Sequence, residues 1–202
     1  MAAMIDSRQD GVLVQAISRI RARFGARDEI KRVFDVTVQV PTTPFSRITL
    51  SEARELLAQH GHVITEKEDL DPEGERMLYR LVAQAQGHEF IFVTDYPAAV
   101  RAFYYMRYDG TDTTKSFDLL YKGLEVTTGA QREHRVDRLI EQAREKGYAL
   151  EPLEYYFGFF RNGCPPHGGF GVGLTRLLMC ITGVNNVREV TFLYRGMNRL
   201  TP

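Results

Sequence analysis

Pro165-Pro166-His167-Gly168-Gly169-Phe170-Gly171-Val172-Gly173-Leu174-Thr175-Arg176 runs straight into the apolar stretch Leu177-Leu178-Met179-Cys180-Ile181. Four glycines in the six positions 168–173 follow two prolines and a histidine, a pattern for backbone that approaches something closely and then turns into a buried helix. Arg176 falls in the first turns of that helix. There a planar cation stands beside unpaired amides and the positive helix end, a combination suited to an anion such as a phosphate. Residue types alone leave a second reading open, because a helix packed tightly on a sheet also asks for glycine at the joint. Neither common phosphate loop fits: no Lys-Ser/Thr follows the glycines, and no acidic residue sits at the dinucleotide-fold distance.

Resemblance adds what spacing does not. Gly169-Phe170-Gly171-Val172-Gly173-Leu174-Thr175-Arg176-Leu177 resembles the third signature motif of class II aminoacyl-tRNA synthetases. The closing Asn186-Val187-Arg188-Glu189-Val190 and Arg199-Leu200-Thr201-Pro202 narrow the likeness to the aspartyl/asparaginyl branch. It continues backward through Tyr155-Tyr156, Phe160-Arg161, Gly129-Ala130-Gln131-Arg132 and Phe92-Val93-Thr94-Asp95-Tyr96-Pro97, covering the chain from about residue 42 onward. The fold so implied is α+β, a class II synthetase-like antiparallel sheet flanked by helices and truncated on its N-terminal side.

The chain has 202 residues, 44% of them hydrophobic, enough for one good core and a single domain over 1–202. Lys plus Arg and Asp plus Glu each number 26, so no global basic field draws in nucleic acid, although local contact with tRNA stays open. Cys164 and Cys180 make no disulfide framework and have no Cys or His at zinc-ligand spacing, which fits a reduced cytoplasm. No apolar run of membrane length and no leader pattern is visible, so no membrane partner is expected.

Along the chain, Val12, Leu13, Ala16, Ile17, Ile20 and Phe24 recur at helical spacing over residues 10–24, with Arg19, Arg21 and Arg23 on a solvated face. Residues 33–40 read as a strand or extended connection. Thr49 and Glu52 form a capping-box pattern that opens a helix. The acidic stretch from Glu66 to Glu75 reads as a solvated loop and helix start, with Met77, Leu78, Leu81 and Val82 turned inward from the helix that follows. Strands are expected over 90–93, 102–108, 116–121 and 124–128, paired as consecutive antiparallel neighbours, with Tyr104, Tyr105 and Tyr108 packing rather than stacking on bases. Helices are expected over 134–146 and 152–161.

The second informative cluster is Glu125-Val126-Thr127-Thr128-Gly129-Ala130-Gln131-Arg132. Strict alternation puts Glu125 and Thr127 on one face and Thr128 on the other, unless a bulge re-aims them. The resemblance implies that Glu125 and Thr128 hold a magnesium ion bridging ATP phosphates, threonine replacing the family's serine but keeping a hydroxyl that a hard cation prefers. It implies that Arg176 and Glu125 serve catalysis. By the same resemblance Gly171, Gly173, Leu174, Thr175 and Arg176 are expected to contact ATP together with Glu125. The resemblance likewise implies that Arg132 takes the side-chain carboxylate of the amino acid, with Thr128, Gln131 and His167 also expected to face that substrate. From the residues alone, Arg132 reads first as an internal ion pair to Asp118 or Glu133, and His167 as a structural histidine; Asp118 and Gln131 are weaker candidates for the substrate.

The chemistry implied is attack of an amino-acid carboxylate on the α-phosphorus of ATP, giving aminoacyl-adenylate and pyrophosphate with no protein nucleophile. The family's first motif, its second motif with the arginine that grips the α-phosphate, and its anticodon-binding barrel have no counterpart in these residues. Three readings follow. One is an aspartyl/asparaginyl synthetase catalytic portion using Mg-ATP and aspartate or asparagine, as a homodimer or with a partner chain supplying the missing motifs. The others are a tRNA-independent aspartate-amidating ligase of the same fold, and a non-catalytic paralogue that binds a ligand or partner protein.

Overall fold

The computed structural model describes residues 2–25 and 29–201. Five strands form one sheet in the order β1 (Ser46–Thr49), β2 (Phe90–Thr94), β3 (Ser116–Tyr121), β4 (Leu124–Arg132), β5 (His167–Val172). β1 runs parallel to β2, and every later pair is antiparallel. Chain neighbours are therefore sheet neighbours from β2 to β5; β3 and β4 pair as the sequence pattern predicts, while β1 and the β4–β5 pairing lie outside it. Residues 102–108 depart from that pattern. They form isolated bridges, Tyr105 to Arg132 and Arg107 to Thr114, rather than a strand. Their aromatic residues pack on helices, Phe103 and Tyr104 against the Leu139, Ala143 and Phe157 cluster, so the β-like composition there serves packing.

Among the described residues seven α-helices flank the sheet: α1 (Ala2–Ile20), α2 (Glu29–Phe34), α3 (Leu50–Gln59), α4 (Pro72–Gln86), α5 (Val136–Glu145), α6 (Glu154–Arg161) and α7 (Leu174–Thr182). α1 buries Leu13 and Ile17, whereas Val12 and Phe24 of the expected stripe are exposed. The segment 33–40 is helical as far as Phe34, turns at Asp35 with positive φ, and is irregular beyond it, with Val38 entering the core. The capping box of α3 is complete: the Thr49 hydroxyl accepts the Glu52 N–H at 3.2 Å, and the Glu52 carboxylate accepts the Thr49 N–H at 2.8 Å. Asp71 caps α4, and Gly87 ends it in the left-handed conformation.

Two apolar layers sandwich the sheet. Phe90, Phe92, Phe117, Leu119, Tyr121 and Val126 meet Leu13 and Ile17 of α1 and Leu177, Cys180 and Ile181 of α7 on one face. Ile91, Val93 and Leu120 meet Leu50, Ala53 and Leu57 of α3 and Leu78 and Val82 of α4 on the other. Each fully buried side chain of this size stabilises the fold by about 1.5–3 kcal/mol relative to exposure. The β3–β4 hairpin turns on Lys122 and Gly123, both with positive φ (52° and 77°), the geometry of a two-residue turn. Among the described residues no helix is long and apolar enough to cross a membrane.

Candidate active site

One irregularity in β4 assembles the site. Leu119 pairs with Thr127, but the next residue, Leu120, pairs with Glu125, so Val126 is an extra residue in β4. Such a bulge shifts the alternation of side chains by one. Because Asp118 pairs with Thr128 and directly paired residues point the same way, Asp118, Leu120, Glu125 and Thr128 share one face of the sheet. The bulge thus brings Glu125 and Thr128 together, which regular alternation forbids. Beyond it the face continues through Ala130 and Arg132, and across the ladder through Gly171, Gly169 and His167. Gln131 points to the opposite face, so the sequence expectation that groups it with Arg132 and Thr128 is not met.

The glycines separate into two kinds. A Cβ on Gly129 would collide with the Phe117 ring and come within 2.8 Å of Phe170 Cβ, so packing demands glycine there. A Cβ on Gly169 or Gly171 would meet nothing within 4 Å. These two form a bare floor in a cleft of about 300 Å³, walled by Tyr104, Tyr105, Thr128 and Arg132. The tyrosines read as packing residues therefore also line open space.

At one end of this face stand Arg176 and Glu125. The Arg176 Nη1 donates to the Glu125 carbonyl at 2.9 Å and to its Oε1 at 3.1 Å. Gly173, just before α7, donates its N–H to the Val126 carbonyl at 2.8 Å, tying the helix start to the bulge. No side chain caps that start, so Leu174 and Thr175 lie in a first turn whose amides have no intrahelical acceptor. Burial, and next the charge of Asp118, push the Glu125 carboxyl above its ordinary range, while Arg176 and Arg101 pull it down.

Glu75 of α4 also belongs here. Its Oε2 accepts the Glu125 N–H at 3.3 Å, and burial above all raises its carboxyl to about 7, with the Glu125 charge adding to the rise. Sequence reasoning missed it, since an acid in a helix's first turn reads as a solvated, dipole-favoured residue.

At the other end, Arg132 is exposed, and its guanidinium lies 5.7 Å from the centre of the Tyr104 ring. Neither expected ion-pair partner reaches it. Asp118 pairs with Arg101, and buried Glu133 pairs with Arg135 at 2.8 Å. Among the described residues no carboxylate lies within 4 Å of the Arg132 nitrogens. His167, opposite Arg132 in the ladder, has Nδ1 3.1 Å from the Pro165 carbonyl and 3.6 Å from Cys164 Sγ, contacts that fix its ring.

The donor set suits a hard cation. Thr128 Oγ1 and Asp118 Oδ1 are buried oxygens with no hydrogen-bond partner, on the same face as the Glu125 carboxylate. Among the described residues no three His, Cys, Asp or Glu side chains converge into a closed metal cage. An open oxygen site of this kind suits magnesium, which keeps waters and substrate phosphates in its shell.

The fold is that of the class II tRNA synthetases. The family model for class II tRNA synthetases (D, K and N) matches residues 11–195, and the chain belongs to that family. It is 43% identical over 172 residues to an aspartate–tRNA(Asp) ligase of Pyrococcus abyssi, covering 85% of this chain and 39% of that protein. With an aspartate–tRNA(Asp/Asn) ligase of Methanopyrus kandleri it shares 47% over 160 residues, covering 79% of this chain and 36% of the relative. Among solved structures, the aspartyl-tRNA synthetase of Entamoeba histolytica superposes with a TM-score of 0.89 at 32% identity, covering 97% of this chain and 41% of that one. The asparaginyl-tRNA synthetase of the same organism, in complex with asparaginyl-adenylate, gives 0.86 at 27% identity, covering 100% and 46%. The chain thus spans less than half the length of these relatives.

Proposed function

We propose that this chain carries the amino-acid-activating site of an aspartyl/asparaginyl-tRNA synthetase, binding Mg-ATP and aspartate or asparagine within a single domain, in the cytoplasm. The observation that carries the reading is a single sheet face with an open glycine floor, an unneutralised Arg132 at one end, and Arg176, Glu125 and Thr128 at the other. A guanidinium with no acid beside it, at the edge of a cleft, suits the polar side-chain end of a small amino acid and offers a carboxylate two parallel hydrogen bonds.

In this reading the nucleotide lies over Gly169 and Gly171 and reaches the start of α7. Arg176 leaves Glu125 for the terminal phosphate, and Gly173, Leu174 and Thr175 present the helix start to the same phosphates. Magnesium, held by Glu125 and Thr128, would supply neutralisation of phosphate charge. Arg132 and His167 orient the amino acid so that an oxygen of its α-carboxylate attacks the α-phosphorus. A new phosphorus–oxygen bond forms, the bond to the bridging oxygen breaks, and pyrophosphate leaves. The adenylate so formed is the donor for tRNA. A second copy or a partner chain would contribute the family's remaining elements.

Calorimetric titration of the purified chain with Mg-ATP, with and without aspartate or asparagine, tests this alongside pyrophosphate exchange. Binding that Arg176→Ala removes, accompanied by exchange that depends on the amino acid, is the expected result. Binding without exchange would mark a partial site that needs its partner. No nucleotide binding would remove the reading and leave a synthetase-derived scaffold.

A further inference from the structure

The two arginines that neutralise the acidic end of the site are built differently. Arg176 is half exposed and holds Glu125 through one nitrogen. A phosphate arriving at the helix start can take it. Arg101 is 10% exposed, and its guanidinium carbon lies 3.5 Å from the centre of the Tyr96 ring. Its Nη2 donates to Asp118 Oδ2, and its Nη1 stands 3.8 Å from Asp69 Oδ2. Stacking below and carboxylates on two sides leave it nowhere to go when a ligand binds.

Asp118 is the residue through which this fixed charge matters. Its side chain is 5% exposed; one oxygen belongs to Arg101, and the other is buried without a partner. It pairs with Thr128, whose hydroxyl is also unpartnered, and its charge is felt at Glu125. The two carboxylates that share the sheet face of Thr128 are therefore already paired with cations in the free chain, Glu125 with one that can leave and Asp118 with one that cannot.

We propose that Arg101 is a positioning residue that acts as a permanent counter-cation: it keeps this face from capturing a bare divalent ion, so that the metal enters with the nucleotide. This rests on the activating-site reading above. Two opposite charges a few ångströms apart interact strongly where water is scarce, so a divalent ion approaching the free face meets a guanidinium that already satisfies Asp118. The nucleotide changes this balance by drawing Arg176 away from Glu125 and adding its own negative charge. Arg101 stays in place throughout and holds Asp118 with one oxygen free.

The test is manganese titration of the full chain, followed by the electron paramagnetic resonance signal of the free ion, with ATP absent and then present, the manganese bound by ATP alone being subtracted with a protein-free titration. For the wild type, manganese should bind at least tenfold more weakly without ATP than with it. Arg101→Met should bind manganese without ATP at least tenfold more tightly than the wild type, Arg101→Lys should stay within threefold of the wild type, and Asp118→Asn on the Arg101→Met background should abolish the gain. A folded Arg101→Met chain that titrates like the wild type overturns the proposal. If that variant does not fold, the wild-type titration decides: manganese binding of equal strength with and without ATP overturns it. The activating-site reading fails separately, by loss of ATP binding in the calorimetric titration, and the nucleotide-free arm does not depend on that result.

Discussion

Gly129 and Gly169 lie on adjacent strands of one sheet, yet they are glycine for opposite reasons. Gly129 faces the layer of Phe117 and Phe170, where no further atom fits; Gly169 faces the cleft, where nothing in the chain stands within 4 Å of an added carbon. The first is fixed by what the protein packs against, and the second by space the protein leaves empty. A binding surface is therefore recognisable as the place where small residues are not explained by their neighbours.

Substitution at the packed position should have the largest effect. Gly129→Ala forces a carbon into the Phe117 ring and should cost about 3 kcal/mol or more, read as a lower denaturation midpoint in urea with unchanged slope. Gly169→Val should do the reverse. Its unfolding midpoint should stay near the wild type while Mg-ATP or amino-acid affinity falls at least tenfold, about 1.4 kcal/mol. Equal loss of stability in the two variants would erase the distinction between the faces.

Arg132→Met sharpens the contrast at the cleft's edge. With no ion pair to break, it should change unfolding free energy by no more than about 0.5 kcal/mol. The response of pyrophosphate exchange to aspartate should nonetheless disappear. A clear loss of stability would mean that Arg132 has a structural partner.

The smallest effect concerns pH. The Glu75 carboxyl is raised in the fold to about 7, above its ordinary value of 4.5, so between these values the folded chain binds more protons than the unfolded one. The contribution of Glu75 to stability therefore falls as pH rises across that window and is lowest above it. Thermal unfolding of wild type and Glu75→Gln should diverge by a few degrees above pH 7, the variant being the more stable, and converge near pH 4.5. Parallel curves would assign the pH response elsewhere.

Much of this was legible from residue types because the signals were local. The capping box at Thr49 and Glu52, the strand at 90–94 and the glycine-rich joint into α7 depend on neighbours in sequence. What escaped depends on the third dimension. The aromatic residues 102–108 carry strand-like composition but owe it to packing against α5 and α6. The partners of Asp118 and Glu133 proved to be Arg101 and Arg135, a choice among several nearby arginines that spacing does not make. Glu75 reaches Glu125 from 50 residues away, and no periodicity marks such a contact.

Val126 carries a consequence of its own. Its side chain is an ordinary buried valine, yet it is one residue more than the partner strand supplies, and its backbone bulges from the ladder to meet the residue that opens α7. Deleting it would leave Glu125 and Thr128 two residues apart on a regular strand, still on one side, but would remove the Val126 carbonyl that accepts the Gly173 N–H at the start of α7. Replacing it with another apolar residue would leave both where they are. At this position heredity has to preserve a backbone carbonyl rather than a side chain, so tolerance to apolar substitution would coexist with sensitivity to a single-codon deletion that frees the start of α7.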